Sequence, residues 1–275
     1  RKGITVKANG RTFVFSKKDG QLKDVSVNNR KISFANGPRF IGARRADRSL
    51  DQFYNHDDEK AKAKDRTYSE FTDAAVFTKL DVKEEGGNLI LTANYKLGNL
   101  DKAQWTIHPD GMATLDYTYN FSGVVDLMGI CFDYPEEQVL SKRWLGAGPY
   151  RVWQNRIHGT QYDIWENDYN DPIPGETFTY PEFKGYFGSV SWMSIRTKEG
   201  TISLTNETPD SYIGVYQPRD GRDRLLYTLP ESGISVLNVI PPVRNKVNST
   251  DLCGPSSQPK WVDGSQTGRL VIRFE

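Results

Sequence analysis

The stretch WLGAGPYRVWQNR, from Trp144 to Arg156, is the most informative part of this chain. It combines two tryptophans, a tyrosine and two arginines with a G-x-G-P turn, and it holds no evident nucleophile or metal cluster. The two glycines permit backbone angles that other residues avoid, and Pro149 fixes the direction in which the chain leaves the turn. We therefore predict a shaped turn after a core strand, with Trp144 packed inside. Tyr150, Trp153 and Arg156 are expected to face a ligand or a neighbouring domain.

Short runs of alternating hydrophobic and polar residues predict an all-β fold on either side of this stretch. Turn signals separate the runs, notably Lys18-Asp19-Gly20 and Lys198-Glu199-Gly200. There is no long helical period, internal repeat or interdomain linker, so residues 1–275 are interpreted as one large β-sandwich domain. The predicted strands are Ile4–Val6, Thr12–Ser16, Leu22–Val27, Asn88–Tyr95, Ala103–Ile107, Met112–Phe121, Val124–Phe132, Val190–Thr197, Thr201–Thr205, Ser211–Tyr216, Ile234–Ile240 and Arg269–Phe274.

Two long segments are predicted to be irregular, Gly37–Thr67 and Trp144–Gly188. Within the first, the charged stretch Gln52–Lys64 has almost no apolar face and is interpreted as a solvated loop or a short surface helix. Loops of this length in a compact β scaffold are either functional or mobile.

Composition and charge exclude several classes of function. The formal net charge is +1, whereas nucleic-acid binding needs a concentrated basic surface. No apolar run approaches the ~20 residues of a membrane span. The chain begins Arg1-Lys2-Gly3, which we interpret as the start of a fragment of a longer or processed protein.

The cysteines and histidines predict neither a metal site nor a cofactor. Cys131 and Cys253 are far apart and lack metal-site spacing, and the three histidines are scattered. Cys131 lies in an apolar run and is expected to be a buried free thiol, although a disulfide between the two cysteines stays open. No phosphate-binding loop, dinucleotide fingerprint or G-x-S-x-G elbow is present.

The second long segment mixes aromatic rings with carboxylates and amides. Aromatic faces pack against the C–H faces of sugars while polar groups bond the hydroxyls, so the mixture favours a carbohydrate surface; the alternative is that these rings cover a sheet face.

His158 paired with Glu182 would suit acid–base chemistry on a sugar ring; the alternative is that His158 makes a hydrogen bond within the loop. A calcium ion on the oxygens of Glu166–Asp171 is an alternative to simple loop solvation. The candidate sugar-facing residues in this segment are Tyr150, Trp153, Arg156, His158, Trp165 and Glu182.

Several segments, taken in order along the chain, resemble one known family. They are Phe13–Lys31, Gly37–Arg39, Arg44–Asp47, Met128–Tyr134 followed by Trp144–Tyr150, Pro181–Trp192 and Leu252–Trp261. Together they are similar to the C-terminal β-supersandwich domain of family 2 glycoside hydrolases of the β-galactosidase type, also called the small chain domain. The resemblance implies a fold similar to galactose mutarotase.

The resemblance also implies how such a domain works. In that family the catalytic carboxylates lie on a preceding barrel domain, which this chain lacks, and the small chain domain packs on the barrel and can lend an aromatic residue to the sugar site. Trp261 matches that residue, with a core or interface tryptophan as the alternative. Work in the periplasm or outside the cell is expected on the same basis.

The match is incomplete after the G-P turn. The family continues x-E-N-Y-x-D-R, whereas this chain has Arg151 and Val152 at the acidic and amide positions and Asn155 for the aspartate. Galactose specificity is therefore not implied.

Three hypotheses follow from these observations. The first is an accessory domain of a family 2-like glycosidase that helps shape the sugar site of a barrel and lacks the catalytic carboxylate pair. The second is an independent carbohydrate-binding module with Trp144–Tyr186 as its binding face. The third is a mutarotase-like epimerase that uses His158 with Glu182.

Overall fold

The computed structural model describes residues 3–45, 68–169, 185–215, 229–242 and 254–275. Their strands are β1 (Gly3–Ala8), β2 (Arg11–Ser16), β3 (Leu22–Val27), β4 (Arg30–Ile32), β5 (Ala35–Arg45), β6 (Tyr68–Glu70), β7 (Val76–Glu85), β8 (Asn88–Lys96), β9 (Leu100–Ile107), β10 (Ala113–Val125), β11 (Leu127–Asp133), β12 (Val139–Gly148), β13 (Gln161–Asp168), β14 (Phe187–Gly188), β15 (Trp192–Thr197), β16 (Thr201–Asn206), β17 (Tyr212–Val215), β18 (Ile234–Val239) and β19 (Lys260–Phe274). Short 3-10 helices occupy Glu136–Gln138 and Pro255–Ser257.

These strands form two antiparallel sheets, which confirms the predicted all-β sandwich. In the described residues, the ten-stranded sheet has the order β1-β2-β3-β5-β11-β18-β17-β14, with β4 beside β3 and β6 beside β5. The nine-stranded sheet has the order β13-β12-β15-β16-β19-β10-β9-β8-β7. Because side chains alternate along a strand, each sheet has one face toward the other sheet and one outer face.

The facing sides of the two sheets enclose an aromatic core. Phe34 stacks on Phe132 with ring centroids 4.5 Å apart and meets Phe274 edge-on at 5.3 Å. Phe34 directly precedes β5, so these contacts join the start of β5 to β11 and to β19 of the other sheet. The largest fully buried side chains of this core include Phe13, Phe15, Phe34, Trp105, Tyr117, Tyr119, Phe132 and Trp144.

Part of the first segment predicted to be irregular is a central strand. β5 extends to Arg45, with Phe40 in the main core and Ile41 on the opposite face. A strand buried on both faces lacks the polar–apolar alternation on which the prediction depended. The charged stretch Gln52–Lys64 lies outside the described residues.

The second segment predicted to be irregular also contains regular structure. β12 continues to Gly148 and pairs with β13, so that Leu145 lies opposite Ile164. β13 is the edge of its sheet and is exposed along most of its length, which removes the hydrophobic alternation of a half-buried strand. The Trp144 indole N–H donates to the carbonyl oxygen of Ala147 at 2.9 Å, and the buried ring confirms the predicted packing role.

Cys131 is a buried free thiol, as predicted. Its Sγ lies 3.5 Å from Nη2 of Arg39. Burial raises the pKa of the Cys131 thiol to about 11, although the Arg39 guanidinium opposes that shift. The thiol is therefore protonated and unreactive at neutral pH. Cys253 lies outside the described residues.

Candidate functional site

A sharp corner between the sheets positions the end of the molecule that carries Trp261. The sequence predicted one strand over Val124–Phe132, but β10 ends at Val125 and β11 begins at Leu127, with Asp126 between them. The Asp126 N–H donates to the Ala43 carbonyl oxygen and its Oδ2 accepts from the Arg45 N–H, both at 2.9 Å. The buried carboxylate thus fixes the corner against the last residues of β5.

The turn after β12 folds over the outer face of the ten-stranded sheet. Val152 and Tyr186 exchange two backbone hydrogen bonds, at 2.7 and 2.9 Å. The Trp153 ring meets Tyr186 edge-on with centroids 5.7 Å apart. We call the buried apolar group beneath this turn the outer cluster; its members are Ile41, Ala43, Tyr68, Leu127, Cys131, Val152, Trp153, Tyr186, Leu229, Leu237 and Ile240.

Trp153 is therefore a packing residue, which corrects the expectation that it faces a sugar. Its side chain is 1% exposed. The indole packs within the outer cluster and presents no open face to a ligand. The turn that was predicted to expose this ring instead seals the outer face of the sheet.

Gln154 ties the same turn to the segment that leads into β19. Its backbone N–H donates to the Pro241 carbonyl oxygen at 3.0 Å. Its side-chain Nε2 donates to the carbonyl oxygens of Ser256 and Gln258, both at 2.7 Å. A buried side chain that satisfies two backbone acceptors holds the start of β19 in place. Gln154 was not among the predicted site residues, because its role depends on a partner about a hundred residues away.

Trp261 lies three positions beyond Gln258, and its side chain is 72% exposed. It pairs with Val124 of β10, and the next residue, Val262, packs against the main core. Alternation along β19 then places the Trp261 indole on the outer face of the nine-stranded sheet. Of the alternatives left open by the sequence, a core position within this chain is excluded, since a core tryptophan is not exposed to this degree.

The other predicted site residues occupy varied positions. Tyr150 is 44% exposed, and Arg156 and His158 are also exposed. Trp165 is half-buried, and it covers Gly148 so closely that a Cβ there would lie 2.4 Å from its ring. Glu182 lies outside the described residues, so its pairing with His158 stays a prediction.

The end of the molecule that carries Trp261 can bind a ligand by surface contact. Asp126 is fully buried and is occupied in fixing the corner, so it does not act as an exposed acid or base. No group of three His, Cys, Asp or Glu side chains suited to a metal ion occurs among the described residues. The exposed indole of Trp261, beside a hydrogen-bonded turn, offers a flat ring for stacking.

One buried hydroxyl under the turn leads to a stability prediction. The Tyr186 hydroxyl has no hydrogen-bond partner among the described residues, and burial raises its pKa, so it stays neutral. Tyr186→Phe is therefore expected to leave the free energy of unfolding unchanged or to increase it by up to about 1 kcal/mol. Urea denaturation of both proteins measures this change.

Tyr119→Phe is the matched control. The Tyr119 hydroxyl donates to Oδ1 of Asn238. Its loss removes the hydrogen bond to a half-buried acceptor and is expected to cost about 0.5–1.5 kcal/mol. Equal destabilisation by both changes would mean that the Tyr186 hydroxyl has a partner in solution.

Comparisons with known proteins agree on the fold. The family model described as the β-galactosidase small chain matches residues 7–238. No curated protein matches the chain. Among solved structures, the galactose 1-epimerase of Lactobacillus acidophilus is 8% identical with a TM-score of 0.53, over 99% of this chain and 94% of the epimerase.

A second solved structure is longer than this chain. The α-N-acetylgalactosaminidase NagBb of Bifidobacterium bifidum is 10% identical with a TM-score of 0.50, over 99% of this chain. The chain spans 36% of that enzyme's length. At these identities the structural matches establish the fold alone, while the family match supports a carbohydrate-related accessory domain.

The described part of the chain contains no helix with the length and apolar character needed to cross a membrane.

Proposed function

We propose that this chain is the accessory domain of a family 2-like glycosidase. The chain belongs to the β-galactosidase small chain family. It packs on a catalytic barrel of the same polypeptide and places Trp261 at the rim of the barrel's sugar site. The single observation that carries this proposal is the 72% exposure of Trp261 on a strand end fixed by Gln154 and Asp126.

Covering the exposed ring of Trp261 would be energetically favourable. A tryptophan side chain buries about 150–250 Å² when it is fully covered, which at about 25 cal/mol per Å² stabilises by about 4–6 kcal/mol. Single exposed apolar residues are common. This one, however, follows a segment held by two side-chain hydrogen bonds, which indicates that its position matters. A sugar or a neighbouring domain would recover the burial energy.

Oxidative footprinting tests whether Trp261 is covered in the complete enzyme. A short pulse of hydroxyl radicals, read by mass spectrometry, is applied to the isolated chain and to the longer polypeptide. We expect rapid oxidation of Trp261 in the isolated chain and several-fold protection in the longer protein. Trp105, which is 1% exposed, serves as the control and should resist oxidation in both. Equal oxidation of Trp261 in the two proteins would contradict the proposal.

The same experiment separates the independent binding module from the accessory domain. A module with Trp144–Tyr186 as its binding face predicts that adding a sugar to the isolated chain, without any barrel, protects the exposed rings of that segment, Tyr150 and Tyr162. The accessory domain predicts protection in the longer polypeptide, strengthened there by a bound sugar.

The proposal includes an extracellular or periplasmic location, which follows from the family resemblance. Cell fractionation of the native host, followed by immunodetection of the full polypeptide, measures it. Recovery in the cytoplasmic fraction alone would remove this part of the proposal.

A further inference from the structure

A gap in the ten-stranded sheet lies beside the middle of β5. On the side away from β11, β5 pairs with β3 at Gly37 and with β6 at residues 43–45. Between those points, residues 38–42 have no paired strand on that side in the described part of the chain. The Phe71 N–H donates to the Gly42 carbonyl oxygen at 2.7 Å and marks the end of the gap.

A cleft of about 620 Å³ occupies this gap. Ligand pockets in proteins typically measure about 300–1,000 Å³, so the cleft has the size of a small-molecule site. Its lining residues come from the β2–β3 turn, from the strands β5, β6, β7, β8, β9 and β11, and from the segments after β6 and before β18. They are Lys18, Asp19, Gln21, Arg39, Phe40, Glu70, Phe71, Thr72, Asp73, Ala75, Phe77, Tyr95, Leu100, Cys131 and Glu231.

Aromatic residues of the cleft lining include Phe71, Phe77 and Tyr95. Phe77 and Tyr95 meet edge-on with centroids 5.8 Å apart, and Phe71 packs on Phe121 at 5.5 Å. The Tyr95 hydroxyl donates to the Asp19 carbonyl oxygen at 2.7 Å. These contacts fix the rings in place, which is the preorganisation that a ligand site requires.

Charged groups also line the cleft. The Arg39 guanidinium is held by Asp133, with Nη2 2.6 Å from Oδ1. The Arg39 Nε is buried and has no acceptor among the described residues. An unpaired buried donor costs free energy, so an oxygen atom supplied from the cleft would stabilise it. Lys18, Glu70 and Glu231 lie exposed at the rim.

The charges around the cleft select the class of ligand. Its lining contains four carboxylates, Asp19, Glu70, Asp73 and Glu231, against two cations. Anionic ligands such as phosphates are therefore disfavoured. A neutral molecule with an apolar face and a hydroxyl-bearing edge matches a lining that combines aromatic rings with charged hydrogen-bonding groups.

We propose that this cleft binds a neutral sugar of monosaccharide size, either free or as the terminal residue of a glycan. The site differs from the surface of Trp261 and does not depend on the proposed function, because it is built from other residues and needs no barrel. The aromatic rings of the lining pack on the C–H face of the sugar ring, and Arg39 and Glu70 bond its hydroxyls.

Isothermal titration of the isolated chain with galactose, glucose and N-acetylgalactosamine tests the proposal. At least one sugar is expected to bind with a dissociation constant of about a millimolar or below. A methyl glycoside and a disaccharide ending in the same sugar distinguish the sources: a glycan terminus predicts retained binding of both, whereas a free sugar predicts loss of both.

Substitutions inside and outside the cleft lining test where the sugar binds. Thr72 is exposed in the cleft lining, and Thr72→Trp fills the space without disturbing the core. It is expected to weaken binding at least about tenfold, and Glu70→Gln to weaken it by a similar factor. The matched control is Thr78→Trp, an exposed threonine outside the cleft, which should leave affinity unchanged. Unaltered melting temperatures show that each variant folds.

Two outcomes would overturn this proposal. One is the absence of binding by the unmodified chain at tens of millimolar of every sugar tested. The other is binding that survives Thr72→Trp but is lost in Trp261→Ala, which would place the sugar on the exposed indole. Failure of the footprinting experiment on Trp261 would leave the cleft proposal untouched.

Discussion

Replacing Trp153 with alanine is expected to lower the free energy of unfolding by about 3–5 kcal/mol. The side chain is 1% exposed and packs edge-on against Tyr186 in the outer cluster. Its loss opens a cavity under the turn that covers the ten-stranded sheet, and surrounding strands cannot close it fully. Urea denaturation monitored by circular dichroism measures the change.

Trp261→Ala is the control for this large effect. The same substitution at a side chain that is 72% exposed should change the free energy of unfolding by no more than about 0.5 kcal/mol. If both variants lost the same small amount, the turn would not be packed on the sheet as described. If Trp261→Ala lost as much as Trp153→Ala, Trp261 would have a structural role within this chain.

Asp126→Ala is expected to cost about 1–3 kcal/mol, since this is the cost of a buried donor left without its acceptor. Asp126 is 0% exposed, and its Oδ2 accepts the Arg45 N–H at 2.9 Å. Removing it leaves that backbone donor without its acceptor at the corner between the sheets. Thermal and urea unfolding both report the loss.

Asp263→Ala provides the comparison for the corner. Its Oδ1 accepts from the Ser122 hydroxyl at 2.6 Å on the exposed outer face of the nine-stranded sheet. Water replaces that partner, so a change of about 0.5 kcal/mol or less is expected. An equally small effect of Asp126→Ala would show that the corner is held by packing alone.

The fold was largely predictable from local sequence signals. The turn at Lys18-Asp19-Gly20 ends in a glycine with φ of 73°, a backbone angle that favours glycine, and the Asp19 side chain accepts the N–H of Gln21. Such turns mark where strands end. The sequence did not show that β19 runs from Lys260 to Phe274, because only its last residues alternate with apolar ones and the rest is rich in Ser, Thr and Gly. Pairing with β10 over its length stabilises that polar half.

The candidate site was predictable only in part. Trp261 was found through the family resemblance, and the structure leaves its ring exposed. Trp153 and Tyr150 lie in the same turn and looked equivalent in sequence, yet one is buried and the other is 44% exposed. The difference is set by Tyr186 and the outer cluster, which come from distant strands. No local pattern could reveal which ring they would cover.

The most direct test of the account is the steady-state kinetics of Trp261→Ala in the longer glycosidase to which we propose that this chain belongs. We expect KM to rise about tenfold, which corresponds to a loss of about 1.4 kcal/mol in binding, with kcat and the melting temperature little changed. Trp261→Phe, which keeps a flat ring, should recover part of the loss. Unchanged KM and kcat in Trp261→Ala would contradict the claim that this domain supplies Trp261 to the sugar site.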